Sequence, residues 1–495
     1  MLPKPLADLQ PNTLEYEITP KVKATGFREY DARWVFEKEI NLLGIQALGA
    51  GLGTLIHEMG KRPEIVVGHD FRGYSISIKQ ALMVGLMSAG IKVHDIGLAL
   101  SPVAYFAQFE LDVPCVAMVT ASHNENGWTG VKMGVEAPLT FGPDEMGRLK
   151  DIVLNGEYKT RDGGAYVWVE GMRERYIADV VKDVKISRKL KVIAACGNGT
   201  AGAFAPEALE RMGVEVIPMD AELDHTFPKY NPNPEDMKML HEMQKAVREH
   251  GADLALGFDG DGDRCGVVDN EGEEIFADKI GVMLARDLSD QHPGATFVVD
   301  VKSTGLFMTD PVLMENKADT KYWKTGHSYI KRYSHEIGAL AGFEKSGHFF
   351  FNAPYGRGYD DGLVAAAAVL RMLDRNPDKS MADLRKALPN TFQSPTMSPH
   401  CDDDKKYAIV DKIVAHFKGV DGLIGQKIRD VNDVNGVRIT VEDGTWGLVR
   451  ASSNKPELVV VVESPVSEEN RNAMFREIEK VLAEYPEVGE FNQKL

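Results

Sequence analysis

Short β-branched runs alternate with longer amphipathic stretches through the first three-quarters of the chain, and the alternation restarts twice. Ile65–Gly68 reads as a strand, Ser77–Ala89 as a helix and Ile91–Ile96 as a strand. Val116–Val119 is a further strand that runs directly into Thr120-Ala121-Ser122-His123-Asn124. The second round has a helix over Arg173–Val184, a strand over Lys191–Ala195, a helix over Gly202–Met212, a strand over Val214–Ile217 and a helix over Pro234–His250. The third has helices over Lys279–Leu288 and Gly362–Leu373 with a strand at Phe297–Val299 between them. Such alternation predicts α/β layers with mainly parallel pairing. Three rounds of similar length predict three related α/β domains with mixed sheets, at 1–170, 171–275 and 276–390. The last hundred residues change character: helices over Lys405–Phe417 and Glu468–Tyr485 flank strands at Gly436–Thr440, Trp446–Arg450 and Leu458–Glu463. They predict a smaller α+β domain over 391–495. The Pro-, Ser- and Thr-containing segment Pro389–Pro399 is the expected linker.

A chain of 495 residues has room for three or four domains with cores of their own. Its hydrophobic share of 43% and charged share of 26% are those of an ordinary globular protein. A formal net charge of −17 with no basic block argues against a nucleic-acid partner. Small anions remain possible ligands, because a few basic side chains can converge locally. The four cysteines, Cys115, Cys196, Cys265 and Cys401, are scattered and form no CxxC pair. That pattern predicts neither structural zinc nor a disulfide framework, and fits a reducing compartment. With no signal-peptide core at Met1-Leu-Pro-Lys-Pro and no apolar run of about 18 residues, the expectation is a cytoplasmic protein without a membrane partner.

Chemistry concentrates in a few loops at strand ends. Residues 257–264 read Gly-Phe-Asp-Gly-Asp-Gly-Asp-Arg. Asp259, Asp261 and Asp263 alternate with glycines, so three carboxylates can converge, and they repel one another unless a cation sits among them. Hard oxygen donors suit Mg²⁺, which keeps coordination positions for water and substrate phosphate. A calcium EF-hand loop begins similarly, but Arg264 stands in its glycine slot and Asn270 where its bidentate Glu is required. A solvated acidic turn is the plain alternative. The arginine beside the carboxylates points to phosphate chemistry.

Ser122, flanked by His123 and followed by Lys132, has the setting of a nucleophile or phosphate carrier; alone, it reads equally as a turn serine bonded to nearby backbone. In Gly342-Phe343-Glu344-Lys345-Ser346-Gly347-His348, a carboxylate, a hydroxyl and an imidazole occupy alternating positions and share one face of an extended chain. That arrangement suits vicinal sugar hydroxyls, although a hairpin turn has a similar composition. Arg450-Ala451-Ser452-Ser453-Asn454-Lys455 combines a guanidinium, two hydroxyls and backbone N–H groups in one turn, which makes a phosphate cradle or a polar β-turn. Thr325-Gly326-His327-Ser328 means little alone. The Ser122, Asp259, Glu344 and Arg450 loops each fall in a different α/β or α+β segment, and ligands bind at the carboxyl ends of strands in such sheets. Four domains are therefore expected to present one loop each to a central cleft.

Taken together, the loops resemble those of the α-D-phosphohexomutases, most closely the bacterial phosphomannomutase/phosphoglucomutase branch. The resemblance covers essentially the whole chain, with all four signature loops in order. It implies that Ser122 carries the transferable phosphoryl group and that Asp259, Asp261 and Asp263 hold Mg²⁺ with the phosphoserine as a further ligand. It also implies that Arg264, Glu344, Ser346 and His348 meet the sugar phosphate, and that Arg450, Ser452, Ser453 and Asn454 form the distal phosphate loop. Lys132 and His123 match residues lining the phosphoserine, Arg33 in Tyr30-Asp31-Ala32-Arg33 matches an arginine near the reacting phosphate, and Lys302 and His327 match substrate contacts of the third domain. The chain departs from the family pattern at Glu125, Trp128 and Phe343, and in the order of residues in the Arg450 loop, while keeping the chemical groups.

The activity so implied interconverts hexose 1-phosphate and hexose 6-phosphate, of mannose or glucose, through a hexose 1,6-bisphosphate that also acts as activator. The same loops permit a phosphoglucosamine mutase, and a non-catalytic phosphosugar-binding protein is the reading from a different class. His348 and Lys132 are both candidates for the general base. Closure of the last domain about the 389–399 linker is expected to exclude water. Hexose phosphates are the expected partners, and the oligomeric state is left open.

Overall fold

The pattern of parallel strands broken by one reversal recurs in the first two sheets, and it is this reversal that creates the functional loops. The computed structural model describes Leu6 and residues 9–453 and 455–495. The chain divides into two compact units, residues 1–277 with 346–382, and residues 278–345 with 383–495.

In the first unit, one six-stranded sheet runs Asp31–Val35, Trp128–Gly134, Cys115–Val119, Glu64–His69, Lys92–Leu98, Ala165–Trp168. The last four of these are mutually parallel, whereas Trp128–Gly134 is antiparallel to both neighbours. A five-stranded sheet runs Glu274–Ile275, Cys265–Asp269, Leu254–Phe258, Lys191–Ala195, Glu215–Met219. Its Lys191–Ala195 strand is parallel to both neighbours, and Cys265–Asp269 reverses against Leu254–Phe258. Each sheet thus has parallel strands joined by helices and closes with a hairpin. The strand runs were legible because their residues are buried on both faces, as in Cys115–Val119 and Leu254–Phe258, where every residue is buried.

Local signals set the helix ends. Asp236 caps the helix Met237–His250 by accepting from the amides of Lys238 at 2.8 Å and Met239 at 3.3 Å, and Gly251 ends it in the left-handed conformation. This helix starts three residues after the Pro234 start expected from sequence, because the cap is Asp236. The helix Gly202–Met212 expected from sequence is instead a 3₁₀ turn at Thr200–Ala203 followed by the helix Ala205–Met212. The helix Leu42–Glu58 carries glycines at 44, 49, 51 and 53, which disfavour a helix on propensity alone. Packing explains them: a Cβ at Gly49 would lie 2.2 Å from the carbonyl oxygen of Leu82, and one at Gly85 would lie 2.0 Å from that of Gln46. The glycines let this helix and Ser75–Ser88 approach backbone to backbone.

The second unit contains two sheets. In one, Thr296–Asp300 lies parallel between Asp319–Trp323 and Ala341–Phe343. The other is antiparallel throughout, in the order Phe392–Gln393, Leu458–Ser464, Trp446–Ala451, Val437–Val441, Gln426–Asn432, Gly422–Leu423. Helices Lys406–Lys418 and Glu468–Leu482 cover it through a core that includes Ile413, Phe417, Met474 and Ile478. The fold is therefore three α/β segments with mixed sheets and a C-terminal α+β segment. The 389–399 segment is not a free tether. Phe392 and Gln393 pair with Ser464 and Glu463, and Met397 exchanges backbone hydrogen bonds with Val460 at 2.8 and 3.0 Å. Among the described residues no helix is long and apolar enough to cross a membrane.

Candidate active site

The Ser122 loop and the aspartate loop occupy equivalent places in the two sheets of the first unit, each joining the last parallel strand to its antiparallel neighbour. Ser122 is buried and adopts φ 52°. That left-handed conformation costs a residue with a side chain about 1–2 kcal/mol. Its amide donates to Thr120 Oγ1 at 2.8 Å. Its hydroxyl donates to Asp259 Oδ2 at 3.2 Å and lies 3.3 Å from His123 Nδ1. A Cβ at Gly260 would stand 2.6 Å from the Ser122 carbonyl oxygen, so the glycine lets the two loops touch.

Asp259, Asp261 and Asp263 are each 0% exposed, and one carboxylate oxygen of each lies within 4.8 Å of the others. Burial, then the charges of Asp263 and Asp261, push the Asp259 carboxyl well above the usual carboxylate range. Burial acts the same way on Asp263, but Lys132 and His348 outweigh it and hold that carboxyl well below the usual range. Lys132 donates to Asp261 Oδ2 at 2.6 Å, to Asp263 Oδ2 and to Ser101 Oγ at 3.2 Å. Burial lowers the Lys132 ammonium, yet Asp261 and Asp263 raise it well above its ordinary value. Asp261 Oδ1 has no hydrogen-bond partner among the described residues. Three buried carboxylates, two of them (Asp261 and Asp263) with an Oδ1 that has no hydrogen-bond partner among the described residues, are a donor set that fits a hard divalent cation.

Basic groups frame this cluster. Arg264 lies with Nε 3.8 Å from Asp259 Oδ2, donates through Nη1 to Glu235 at 3.3 Å, and reaches His348 Nε2 at 3.4 Å. His348 Nε2 is also 3.3 Å from Asp263 Oδ1 and 4.0 Å from Asp360 Oδ2, while Nδ1 lies 3.0 Å from Ser346 Oγ. Arg33 donates to Asp31 at 2.8 Å and, through Nη1, to Asn124 Oδ1 at 2.8 Å. The first unit therefore brings Ser122, His123, Lys132, Arg33, the three aspartates, Arg264, Ser346 and His348 into one polar cluster.

The second unit holds the other candidates. Glu344 is buried and accepts from the Gly326 amide at 2.5 Å, immediately before His327, which begins the helix His327–Ile337. Asp300 accepts from Ser303 Oγ at 2.5 Å and Thr325 Oγ1 at 3.2 Å, with Lys302 Nζ 3.8 Å away. Burial raises the Asp300 carboxyl, with Lys302 opposing and Glu344 adding to the rise. Arg450 donates through Nε to Asn435 Oδ1 at 2.7 Å and through Nη2 to Ser453 Oγ at 3.1 Å. Ser452 gives its carbonyl to Lys406 Nζ at 2.5 Å. Asn435 Oδ1 also accepts from the Thr325 amide at 3.2 Å, so one side chain ties the His327 turn to the Arg450 loop. Asn454 lies outside the described residues.

Models of the phosphoglucomutase/phosphomannomutase α/β/α domains I, II and III match residues 24–160, 174–272 and 276–392, and that of the C-terminal domain matches 400–481. The chain belongs to the phosphoglucomutase/phosphomannomutase family. It is 34% identical to a phosphomannomutase/phosphoglucomutase of Pseudomonas syringae pv. tomato, over 91% of this chain and 94% of that protein. It is 30% identical to a phosphoglucomutase of Neisseria meningitidis serogroup A, over 88% of this chain and 92% of that protein. The crystal structure of a family protein from Burkholderia thailandensis superposes with a TM-score of 0.85 at 28% identity, covering 94% of this chain and 99% of that one.

Sequence reasoning passed over several residues that the structure places against these candidates. Ser101 donates to Asp261 Oδ2 at 2.6 Å from the start of the helix Ser101–Leu111. Asp360 approaches His348, and Asn435 orients Arg450. Asp70 and Arg72, on the turn after Glu64–His69, contact the Ser122 loop. Polar residues directly following a buried strand were the available signal for Asp70 and Arg72. Ser101 and Asn435 have no such signature.

Proposed function

We infer that this protein is a phosphohexomutase that interconverts hexose 1-phosphate and hexose 6-phosphate of glucose, mannose or both, with Ser122 as the phosphoryl carrier. The observation that carries this reading is the Ser122 hydroxyl, 3.2 Å from Asp259 at the edge of a fully buried carboxylate triad. Asp259, Asp261 and Asp263 would hold a divalent cation, taken to be Mg²⁺ from their oxygen donors, which neutralises negative charge on the phosphoryl group.

In the forward direction a sugar hydroxyl oxygen forms a bond to phosphorus as the bond from phosphorus to Ser122 Oγ breaks. The hydroxyl proton passes to a base, and Ser122 leaves as an alkoxide that takes up a proton. The resulting hexose 1,6-bisphosphate turns over and returns its other phosphoryl group to Ser122 by the reverse chemistry. A trace of the same bisphosphate primes an unphosphorylated enzyme. Positioning and charge stabilisation dominate such transfers. Arg33 is placed by Asp31 and Asn124 to meet phosphate oxygens. Lys132 is committed as a donor to three oxygens, which leaves His348 as the favoured proton acceptor. His348 Nε2 lies 3.4 Å from Arg264 Nε and 3.3 Å from Asp263 Oδ1, at the edge of the same carboxylate cluster. Glu344 supplies a carboxylate for sugar hydroxyls, and Arg450, Ser452 and Ser453 form a loop suited to the non-reacting phosphate.

The test is turnover of glucose 1-phosphate, mannose 1-phosphate and glucosamine 1-phosphate with Mg²⁺ and a trace of hexose 1,6-bisphosphate. Activity on glucose or mannose 1-phosphate that vanishes in Ser122→Ala supports the reading. Preference for glucosamine 1-phosphate moves the chain to the amino-sugar mutases. No turnover by a protein phosphorylated at Ser122 refutes it.

A further inference from the structure

The Ser122 loop leads out of the buried strand Cys115–Val119 and takes a left-handed turn at Ser122 itself. A polar side chain in that conformation needs external restraint if its hydroxyl is to keep one direction. The restraint comes from another loop of the same sheet. Arg72, 4% exposed, donates through Nη2 to the carbonyl oxygens of Ser122 at 2.9 Å and Asn124 at 2.7 Å, bracketing His123. Its Nη1 donates to Asp70 Oδ2.

Asp70 is in turn fully engaged. Its carboxylate accepts from Thr120 Oγ1 at 2.9 Å, from the Ala121 amide at 3.3 Å and from Ser75 Oγ at 2.6 Å, and its own amide donates to the Val119 carbonyl at 3.0 Å. Thr120 Oγ1 then receives the Ser122 amide. The loop is thus gripped on its amide side through Asp70 and Thr120 and on its carbonyl side by Arg72. The grip extends further, since the Asn124 carboxamide oxygen held beside this clamp accepts from Arg33. Arg72 Nε has no hydrogen-bond partner among the described residues, although buried.

We propose that Arg72, seated on Asp70, is a positioning residue for phosphoryl transfer: it locks the left-handed turn at Ser122 and, through Asn124, keeps Arg33 in register with the serine. The proposal rests on the mutase reading of Ser122. Among the described residues Arg72 hydrogen-bonds to two loop carbonyls and Asp70 and lies 5.5 Å over the Phe227 ring, so its loss should misplace the serine while leaving ground-state sugar binding nearly intact.

The experiment compares wild type, Arg72→Met and Arg72→Lys in steady-state turnover of glucose 1-phosphate and in hydrogen exchange of peptides covering 118–128. Arg72→Met should lower kcat about 100-fold, the scale of a misplacement near 1 Å, with KM changed less than about threefold. The 118–128 amides should exchange faster while peptides from the Leu254–Phe258 strand stay protected. Arg72→Lys keeps the charge beside Asp70 but lacks the planar fork that holds both loop carbonyls through Nη2 and Asp70 through Nη1 at once. It should fold and lose kcat about tenfold, and it carries the test should Arg72→Met fail to fold. Wild-type kcat in Arg72→Lys, or unchanged exchange at 118–128 in both variants, overturns the proposal. Were the wild type to turn over no hexose phosphate, the mutase reading would fall, and the exchange result would still decide whether Arg72 holds the loop.

Discussion

Lys132 occupies a position that a divalent cation would share, and its removal tests the electrostatics of the site directly. Its ammonium touches Asp261 and Asp263, with side-chain exposures of 3% for the lysine and 0% for each aspartate. Lys132→Met keeps most of the stem and deletes the charge. Two buried carboxylates then lose their nearest counter-charge, and Arg264, 3.8 Å from Asp259, and His348, 3.3 Å from Asp263, are left beside the three aspartates. Breaking a buried pair by removing one partner costs about 3–5 kcal/mol. For a compact unit of about 310 residues each kcal/mol moves the unfolding temperature by about 1.5 °C, so metal-free Lys132→Met should melt roughly 5–8 °C below wild type.

The penalty also carries a pH signature. Lys132 and His348 outweigh burial to hold the Asp263 carboxyl well below its ordinary range, so in wild type this group adds stability above the unfolded-state pKa and loses it as pH falls through the folded value. Without Lys132 the balance tips toward burial and the folded pKa rises. The variant's deficit should then be small in acid and grow as pH rises. Thermal unfolding across pH, with and without millimolar Mg²⁺, reads both effects. Mg²⁺ should raise the melting temperature of the variant more than that of wild type, because no ammonium shares the carboxylates. A metal-free variant melting with wild type at neutral pH would refute the pairing argument, and equal Mg²⁺ shifts would refute the sharing of carboxylates.

Gly260→Ala places a methyl 2.6 Å from the Ser122 carbonyl oxygen; kcat should fall at least about tenfold, and relieving the clash should cost about 1–3 kcal/mol of stability, read as an earlier unfolding transition. Asp361 is buried, caps the helix Gly362–Arg375 through the amides of Leu363 and Val364, and accepts from Tyr176. Burial, the largest influence, raises its carboxyl from 3.8 to about 7. A raised folded pKa gives stability that is present in acid and lost as pH rises through about 7, at most on the order of 4 kcal/mol. Asp361→Asn, which keeps the acceptor, should remove that part of the slope in denaturant unfolding between pH 5 and 8; an unchanged slope would show that Asp361 is ionised throughout. Glu463, 1% exposed, accepts from Thr304 Oγ1 at 3.0 Å, the Gly305 amide at 2.8 Å and Trp446 Nε1 at 3.1 Å, with Thr391 Oγ1 at 3.2 Å on its other oxygen. Glu463→Ala strands these donors and should cost about 3–5 kcal/mol, read as an earlier unfolding transition, and a loss under about 1 kcal/mol would mean that water replaces the carboxylate.

The residues legible in the sequence are those whose chemistry depends on local spacing. Three aspartates separated by glycines do converge, and Ser346 and His348 on alternate positions meet at 3.0 Å, whereas Glu344 hydrogen-bonds to the Gly326 amide. The strand and helix alternation was legible for a similar reason, since burial on both faces or on one stripe leaves a period in the sequence. The Leu42–Glu58 helix escaped because its glycines answer to a partner helix rather than to local propensity. The 389–399 segment read as a tether because its Pro, Ser and Thr content resembles a loop, yet Phe392, Gln393 and Met397 find backbone partners on Leu458–Ser464, some 65 residues later. Arg72 and Asp70 escaped for a deeper reason. Their partners are the carbonyls and amides of a loop about 50 residues away, and a backbone group has no side-chain identity for a sequence motif to match. Residues that transfer or bind phosphate are chosen for what their own side chains do. Residues that hold those side chains in place are chosen for which backbone the fold brings to them, and only the folded chain reveals that pairing.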